Sequence, residues 1–475
     1  MRTQLFIGGR WVDADGGATF GVTDPATGEL VAEVADATPA DAVAAVDAAA
    51  EAQPRWAATA PRTRSEILRA CWQILVDHTD ELAELIVREN GKTLADARGE
   101  VAYAAEFFRW NAEEAVRILG TIGVSPSGAN RMIVHHPPVG VVVMVTPWNF
   151  PAAMITRKLA PALAAGCAAV VKPAPDTPLT ALRVAELLAE AGVPDGVVNL
   201  VPTSNAGPVV DAAVDRTPVR MLSFTGSTAT GRLLLRRAAD RVLKCAMELG
   251  GNAPFIVFAD ADLDAAVEGA MVAKMRHSAQ TCTAANRFFV EEPVLEDFGA
   301  RLAEAMASLR VGSGFDEGVQ CGPLINEAAV TKVDELVASA VAGGARPLTG
   351  GSRLDRPGHF FAPTVLEGVA ADADITRHEI FGPVAPLIPF TDTEAVIAAA
   401  NDTEAGLMGY VFTGDLGRGL AVAERIEAGM IGLNRGVASD PAAPFGGMKQ
   451  SGLGREGAHE GVLEFCETQY IATTW

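Results

Sequence analysis

The 475-residue chain is short of positive charge: 38 Lys and Arg stand against 59 Asp and Glu, a formal net charge of −21. That balance argues against a nucleic-acid partner, because affinity there rests on cationic contacts to phosphate. Any anionic ligand must be drawn by local Arg or Lys. Long apolar runs are also missing. The longest, such as residues 139–145, are too short to span a bilayer, so no membrane partner is expected. The stretch from Met1 to Gly9 lacks the apolar run of a signal peptide. Cysteine is dispersed: Cys71, Cys167, Cys245, Cys282, Cys321 and Cys466 include no CxxC pair and no Cys/His cluster with zinc spacing. No metal is expected, and the scatter suits a reducing cytoplasm better than a disulfide framework. Internal repeats, low-complexity runs and disordered linkers are absent as well.

What is present is an ordinary globular composition, 49% apolar and 20% charged, on a chain long enough for two or three domains of about 150 residues. Residues 4–35 read as short strands with turns at Gly8-Gly9 and Gly16-Gly17. Residues 39–119 read as helical, with Leu68, Cys71, Ile74, Leu75 and His78 on one helix face. From Val139 the pattern becomes strand, helix, strand: strands at 139–145, 168–171, 197–201 and 220–224, and helices near 152–165, 178–192 and 205–214. This alternation predicts a doubly wound parallel sheet. A second alternating unit starts after Glu248, with strands at 255–258 and 287–291 and helices at 294–308 and 326–342. Residues 118–135 read as a detached strand pair and 466–475 as a terminal strand. Such a pair is either an edge hairpin or an arm that joins subunits, since an open edge is otherwise a liability.

Two short runs carry chemistry. His277-Ser278-Ala279-Gln280-Thr281-Cys282 puts a cysteine in a small-residue turn, and Glu248-Leu249-Gly250-Gly251-Asn252 puts a carboxylate before a glycine turn. A thiolate is a nucleophile toward carbonyl carbon, and a nearby carboxylate can activate water. A loose glycine motif, Gly226-Ser227-Thr228-Ala229-Thr230-Gly231, follows the strand ending at Phe224 and opens a helix. It is neither GxGxxG nor a P-loop, but backbone N–H groups at a helix start favour phosphate.

With Thr146-Pro147-Trp148-Asn149-Phe150-Pro151, Lys172-Pro173-Ala174, Phe224-Thr225-Gly226-Ser227, Glu379-Ile380-Phe381-Gly382-Pro383 and Pro444-Phe445-Gly446-Gly447, these runs occur in the order found in the aldehyde dehydrogenase superfamily, which the chain resembles along essentially its whole length. Residues 148–166 and 446–457 resemble its succinate-semialdehyde dehydrogenases. The resemblance implies an α/β fold: a Rossmann-type cofactor domain (1–117 and 136–245), an α/β catalytic domain (246–445) and a β-strand oligomerisation arm (118–135 and 456–475), in a homodimer or homotetramer. It implies Cys282 as nucleophile, Asn149 with the Cys282 backbone N–H as oxyanion hole, and Glu248 as the base that hydrolyses the thioester. That base is missing from the coenzyme-A-acylating relatives. For NAD+ or NADP+ it implies Trp148, Lys172, Gly226, Ser227, Glu379 and Phe381. Pro175 stands where many NAD-preferring relatives carry Glu, so one barrier to NADP is gone and the preference stays open. Arg157, Arg276 and Ser439 match residues that hold a substrate carboxylate.

The sequence departs from the subfamily's Asn-Ala-Gly at His277-Ser278-Ala279. A Cβ at Ala279 matters if the turn needs positive φ. His277 is read as a partly exposed turn residue, with a pH-sensitive loop element as the alternative. Ala284 removes the second thiol that some relatives carry. The expected activity is oxidation of an ω-carboxylated small-molecule aldehyde, succinate semialdehyde first, by way of a cysteine thiohemiacetal and thioester. Glutarate semialdehyde or another aliphatic aldehyde is the alternative substrate. The rivals of other classes are a cofactor-free cysteine hydrolase and a silent binding scaffold.

Overall fold

The computed structural model describes residues 2–475. Two antiparallel hairpins open it: β1 (Leu5–Ile7) with β2 (Arg10–Val12), and β3 (Thr19–Thr23) with β4 (Leu30–Ala35). Gly8 and Gly9, both at positive φ, make the first turn. Four helices follow, α1 (Pro39–Ala58), α2 (Pro61–Asp77), α3 (Thr79–Asn90) and α4 (Leu94–Glu114). Thr38 and Thr93 cap α1 and α4 by accepting N–H groups from Asp41 and Asp96. On α2, Leu68, Cys71 and Leu75 are fully buried, as their spacing predicts. β5 (Thr121–Val124) pairs with β6 (Arg131–His135).

The chain then alternates through β7 (Val141–Val145), α5 (Ala153–Ala165), β8 (Ala168–Lys172), α6 (Pro178–Glu190), β9 (Val198–Leu200), α7 (Ala206–Val214), β10 (Val219–Thr225), α8 (Thr228–Ala239) and β11 (Lys244–Glu248). The sheet order is β2-β1-β9-β8-β7-β10-β11, and the strands from β7 to β11 are parallel. β7 shows why an unbroken apolar run is needed. Val142 and Met144 pack into the core beneath α2–α6, while Val141, Val143 and Val145 pack into the core beneath α1 and α7. Strand order reverses between β7 and β10, which opens a crevice at the carboxyl ends of those two strands.

The chain leaves this sheet at residues 249–252, a few residues past the boundary expected at 246, which would cut β11. β12 (Ala253–Val257), α9 (Leu263–Met275) and β13 (Ala285–Glu291) begin a second sheet, completed by strands 346–349, 364–367, 384–390, 408–412 and 430–433. Here too neighbours face opposite cores: Phe255 and Val257 one, Ile256 and Phe258 the other. The C-terminal segment then returns to the first sheet. Gly452–Leu453 pairs antiparallel with β11. Residues 458–463, grouped with the arm from sequence, form a helix packed on α4 and α5. Only Gln469–Thr473 extends away, pairing with β6 to make a separate three-stranded sheet.

The start of α6 is fixed by a buried acid. Glu89 accepts the N–H groups of Leu179 and Thr180 at 2.7 and 2.8 Å, so the loop from Lys172 to Thr177 is held at its far end. Glu89→Ala strips the partner from two buried donors and is expected to lower stability by about 1–3 kcal/mol, read as a drop in the urea midpoint.

Candidate active site

Cys282 sits at the end of a strained turn. After α9 and Arg276, residues His277, Ser278 and Ala279 have φ of 52, 53 and 65°, three successive non-glycine residues in the left-handed region. Each such residue costs on the order of 1–2 kcal/mol, so neighbours must hold the turn. The His277 N–H donates to Asp96 Oδ2 at 3.2 Å, and Ser278 Oγ donates to the Gly322 carbonyl at 3.0 Å. Gln280 Nε2 donates to the Pro323 carbonyl at 3.2 Å, and Gln280 Oε1 accepts the Ile325 N–H at 2.9 Å. Asn149 Nδ2 donates to the Gln280 carbonyl at 3.0 Å. The positive φ on which the Ala279 departure turned is therefore real.

His277 is not a partly exposed turn residue. It is 1% exposed and edge-on to Trp148 and Phe150, with ring centroids 6.3 and 5.7 Å away. Burial, with the Lys92 and Arg276 cations near it, holds its pKa well below the usual histidine range. That environment disfavours the charged imidazolium.

Two cavities meet at the thiol. One, of about 250 Å³, is lined by Arg157, Arg276, Ser439, Tyr103 and Phe445; the other, of about 380 Å³, by Trp148, Asn149, Gly226, Ser227, Glu379 and Phe381. Cys282 and Met154 line both. The second cavity occupies the crevice at the strand-order reversal. Ser227 caps α8 there, accepting the Thr230 N–H, and Trp148 packs edge-on against Phe381 at 5.5 Å.

Several of the charges are paired. Lys92 pairs with Glu100. Glu456 lies 2.7 Å from both Arg157 Nε and Lys158 Nζ. Arg157 also lies over the Phe445 ring at 3.9 Å, and its Nη2 has no hydrogen-bond partner. Arg276 has no carboxylate partner among the described residues and donates only to Thr283 Oγ1, at 3.4 Å. Burial pushes the Cys282 thiol up to about 12, opposed by Arg157 and Arg276 and reinforced by Glu248 and Glu379. Burial first and the neighbouring Glu456 second hold the Glu248 carboxyl well above the usual carboxylate range.

Three expected residues stand apart from the cavity linings. Glu248 ends β11, is 4% exposed, and has both carboxylate oxygens without partners. It lies against the backbone of Gly446, whose ideal Cβ position is 3.0 Å from Glu248 Oε1. Lys172 is buried at the end of β8, where desolvation lowers its pKa to about 8 against the pull of Asp176. Pro175 is half-buried in the loop beyond it. Lys92, Asp96, Glu100, Lys158 and Glu456 escape sequence reasoning: Asp96 and Glu100 share a face of α4, but only packing turns that face toward the cysteine and brings Lys158 to Glu456.

The sequence profile of the aldehyde dehydrogenase family matches residues 11–471. The chain belongs to that family. It is 52% identical over 442 residues to the succinate-semialdehyde dehydrogenase of Paenarthrobacter nicotinovorans, a match covering 93% of this chain and 98% of the relative. It is 48% identical over 471 residues to the glutarate-semialdehyde dehydrogenase of Pseudomonas putida, covering 99% and 98%. The crystal structure of an NADP-dependent enzyme from E. coli superposes with a TM-score of 0.98 at 48% identity, covering 100% of this chain and 98% of that one.

As an aldehyde dehydrogenase the chain is an oxidoreductase, and its second cavity fits a nicotinamide dinucleotide. A helix N-terminus suits phosphate, the Glu379 carboxylate lines the cavity and would be able to accept hydrogen bonds from ribose hydroxyls, and Phe381 and Trp148 give apolar faces. Glycine keeps the backbone close around it. At Gly251 an ideal Cβ would stand 2.4 Å from the Cys282 carbonyl oxygen. Gly251→Ala is therefore expected to displace the cysteine and lower turnover by roughly 100-fold, measured as kcat for aldehyde oxidation.

Proposed function

We propose that this enzyme oxidises an ω-carboxylated aldehyde, succinate semialdehyde to succinate first and glutarate semialdehyde second, with NAD+ or NADP+. The observation that carries the reading is a thiol common to two cavities, one of which bears Arg157, Arg276 and Ser439. The activities of the semialdehyde dehydrogenases it resembles support it.

In this reading Cys282 Sγ, once deprotonated, adds to the aldehyde carbon to give a thiohemiacetal. The bound nicotinamide supplies a two-electron acceptor. Asn149 Nδ2 carries two N–H groups; one holds the Gln280 carbonyl, and the other, with the Cys282 backbone N–H, stabilises the developing oxyanion. Oxidation leaves a thioester on Cys282. Glu248 then takes a proton from water as the water attacks the thioester carbon. Its unpartnered oxygens leave the side chain free to rotate without breaking a hydrogen bond. Arg276, the uncommitted cation, receives the substrate carboxylate, with Arg157 Nη2 and Ser439 beside it. A cofactor-free cysteine hydrolase would have no use for the second cavity. Six free cysteines support a cytoplasmic setting. The exposed Ile122, Val124, Tyr470 and Ile471 of the three-stranded sheet support an arm that joins subunits in a homodimer or homotetramer.

Succinate semialdehyde with each of NAD+ and NADP+ should raise reduced-nicotinamide absorbance, and Cys282→Ala should abolish the signal; silence with both cofactors across a panel of aldehydes refutes the reading. Arg276→Met is expected to raise KM for succinate semialdehyde roughly 10- to 100-fold, the worth of a charged hydrogen bond of about 1.5–3 kcal/mol, and to leave KM for butanal unchanged. The pH profile tests Glu248. The ionised carboxylate is the base, so deacylation rises with pH along a limb above the usual carboxylate range. Glu456→Gln removes a like charge that opposes ionisation, which moves that limb to lower pH. A limb that stays put, or a Glu248→Gln variant with parental steady-state rate, removes the assigned role.

A further inference from the structure

One face of α4 touches both halves of the reacting centre. Asp96, Gly99, Glu100 and Tyr103 line the 250 Å³ cavity, at the three- and four-residue spacing of a single helix face. Two carboxylates on this face, one turn apart, reach in different directions. Asp96 Oδ2 accepts the His277 N–H at 3.2 Å, at the first residue of the left-handed turn that ends in Cys282. Glu100 Oε1 accepts the Ala152 and Ala153 N–H groups at 2.8 and 3.2 Å, at the start of α5. Glu100 Oε2 pairs with Lys92, whose Nζ donates to the Asn149 carbonyl at 3.0 Å. Lys92 and Glu100 are 1% and 2% exposed, so their pairing is not diluted by solvent. α4 itself is packed against α2, α3 and α5.

We propose that Asp96 and Glu100 are positioning residues that set the separation between the Cys282 thiol and the Asn149 amide. The argument is mechanical. A turn of three left-handed residues relaxes if its hydrogen bonds are lost, and Asp96 holds the first of them. The Asn149 loop is held through Glu100 from the other side. Because both anchors project from one rigid helix, the gap between nucleophile and oxyanion donor is set by the distance between two side chains rather than by either loop. The direct Asn149–Gln280 hydrogen bond closes the frame. This inference rests on the roles proposed above for Cys282 and Asn149.

The test uses the full enzyme in single-turnover mode, following the first burst of reduced nicotinamide with succinate semialdehyde. Asp96→Ala is expected to slow the burst roughly 10- to 100-fold while cofactor KM stays within about twofold. Asp96→Asn keeps an acceptor oxygen and should recover most of the rate. Glu100→Gln keeps acceptors for α5 but loses the charge that holds Lys92, and should also slow the burst. A purely structural role would instead lower the thermal midpoint and raise cofactor KM in proportion, without rescue by Asn. A parental burst rate in Asp96→Ala overturns the inference, as does a loss that Asp96→Asn fails to restore. If Glu100→Gln does not fold, the Asp96 pair decides alone. An active Cys282→Ala would mark failure of the underlying reading. An inert Cys282→Ala beside a parental Asp96→Ala would mark failure of this inference only.

Discussion

The site depends on a backbone conformation that the cysteine turn would not adopt alone. His277, Ser278 and Ala279 stand at positive φ in succession, against the steric preference of every L-residue with a Cβ. The turn survives because its polar groups are tied to three separate pieces of chain: α4, the segment 322–325 and the Asn149 loop. Strain of this kind persists only where surrounding structure over-determines it. What the arrangement achieves is placement. The held turn leaves Cys282 at the junction of both cavities.

Buried charge is the second constraint. Isolated charges at this depth are costly, and several are matched: Lys92 by Glu100, Arg157 and Lys158 by Glu456. Glu248 is the informative exception on the acidic side, a carboxyl with neither hydrogen bond nor ion pair. The protein tolerates it because burial and Glu456 raise its pKa, so the neutral form is accessible. On the basic side Lys274 and Arg276 lack a carboxylate partner among the described residues, and of the two only Arg276 lines a cavity at Cys282.

Much of the architecture could be read in the chain because local chemistry and tertiary fold agree there. Val141–Val145 is apolar at every position because both faces of β7 are covered. The α2 stripe and the strand–helix alternation are similarly local. Cys282, Asn149, Trp148, Gly226, Ser227, Glu379 and Phe381 stood out through motif order, and packing gathers them along one cavity. Other features depend on distance in sequence and were not. Nothing local marks Glu456 as the partner of Arg157, Asp96 as an anchor of the cysteine turn, or Gly452–Leu453 as the neighbour of β11. His277 was misread for the same reason. A histidine in a polar, small-residue run looks exposed until Trp148 and Phe150, far away in sequence, close over it.

The return of the C-terminal segment has a consequence for biosynthesis. β11 carries Glu248, yet its outer edge is paired only when Gly452–Leu453 arrives, and Arg157 gains Glu456 only then. The reaction chamber is thus finished by a segment far downstream of β11 in sequence. A prematurely released polypeptide holds every earlier motif but has an open strand edge and an uncompensated buried cation. Such a fragment exposes features that chaperones and proteases recognise.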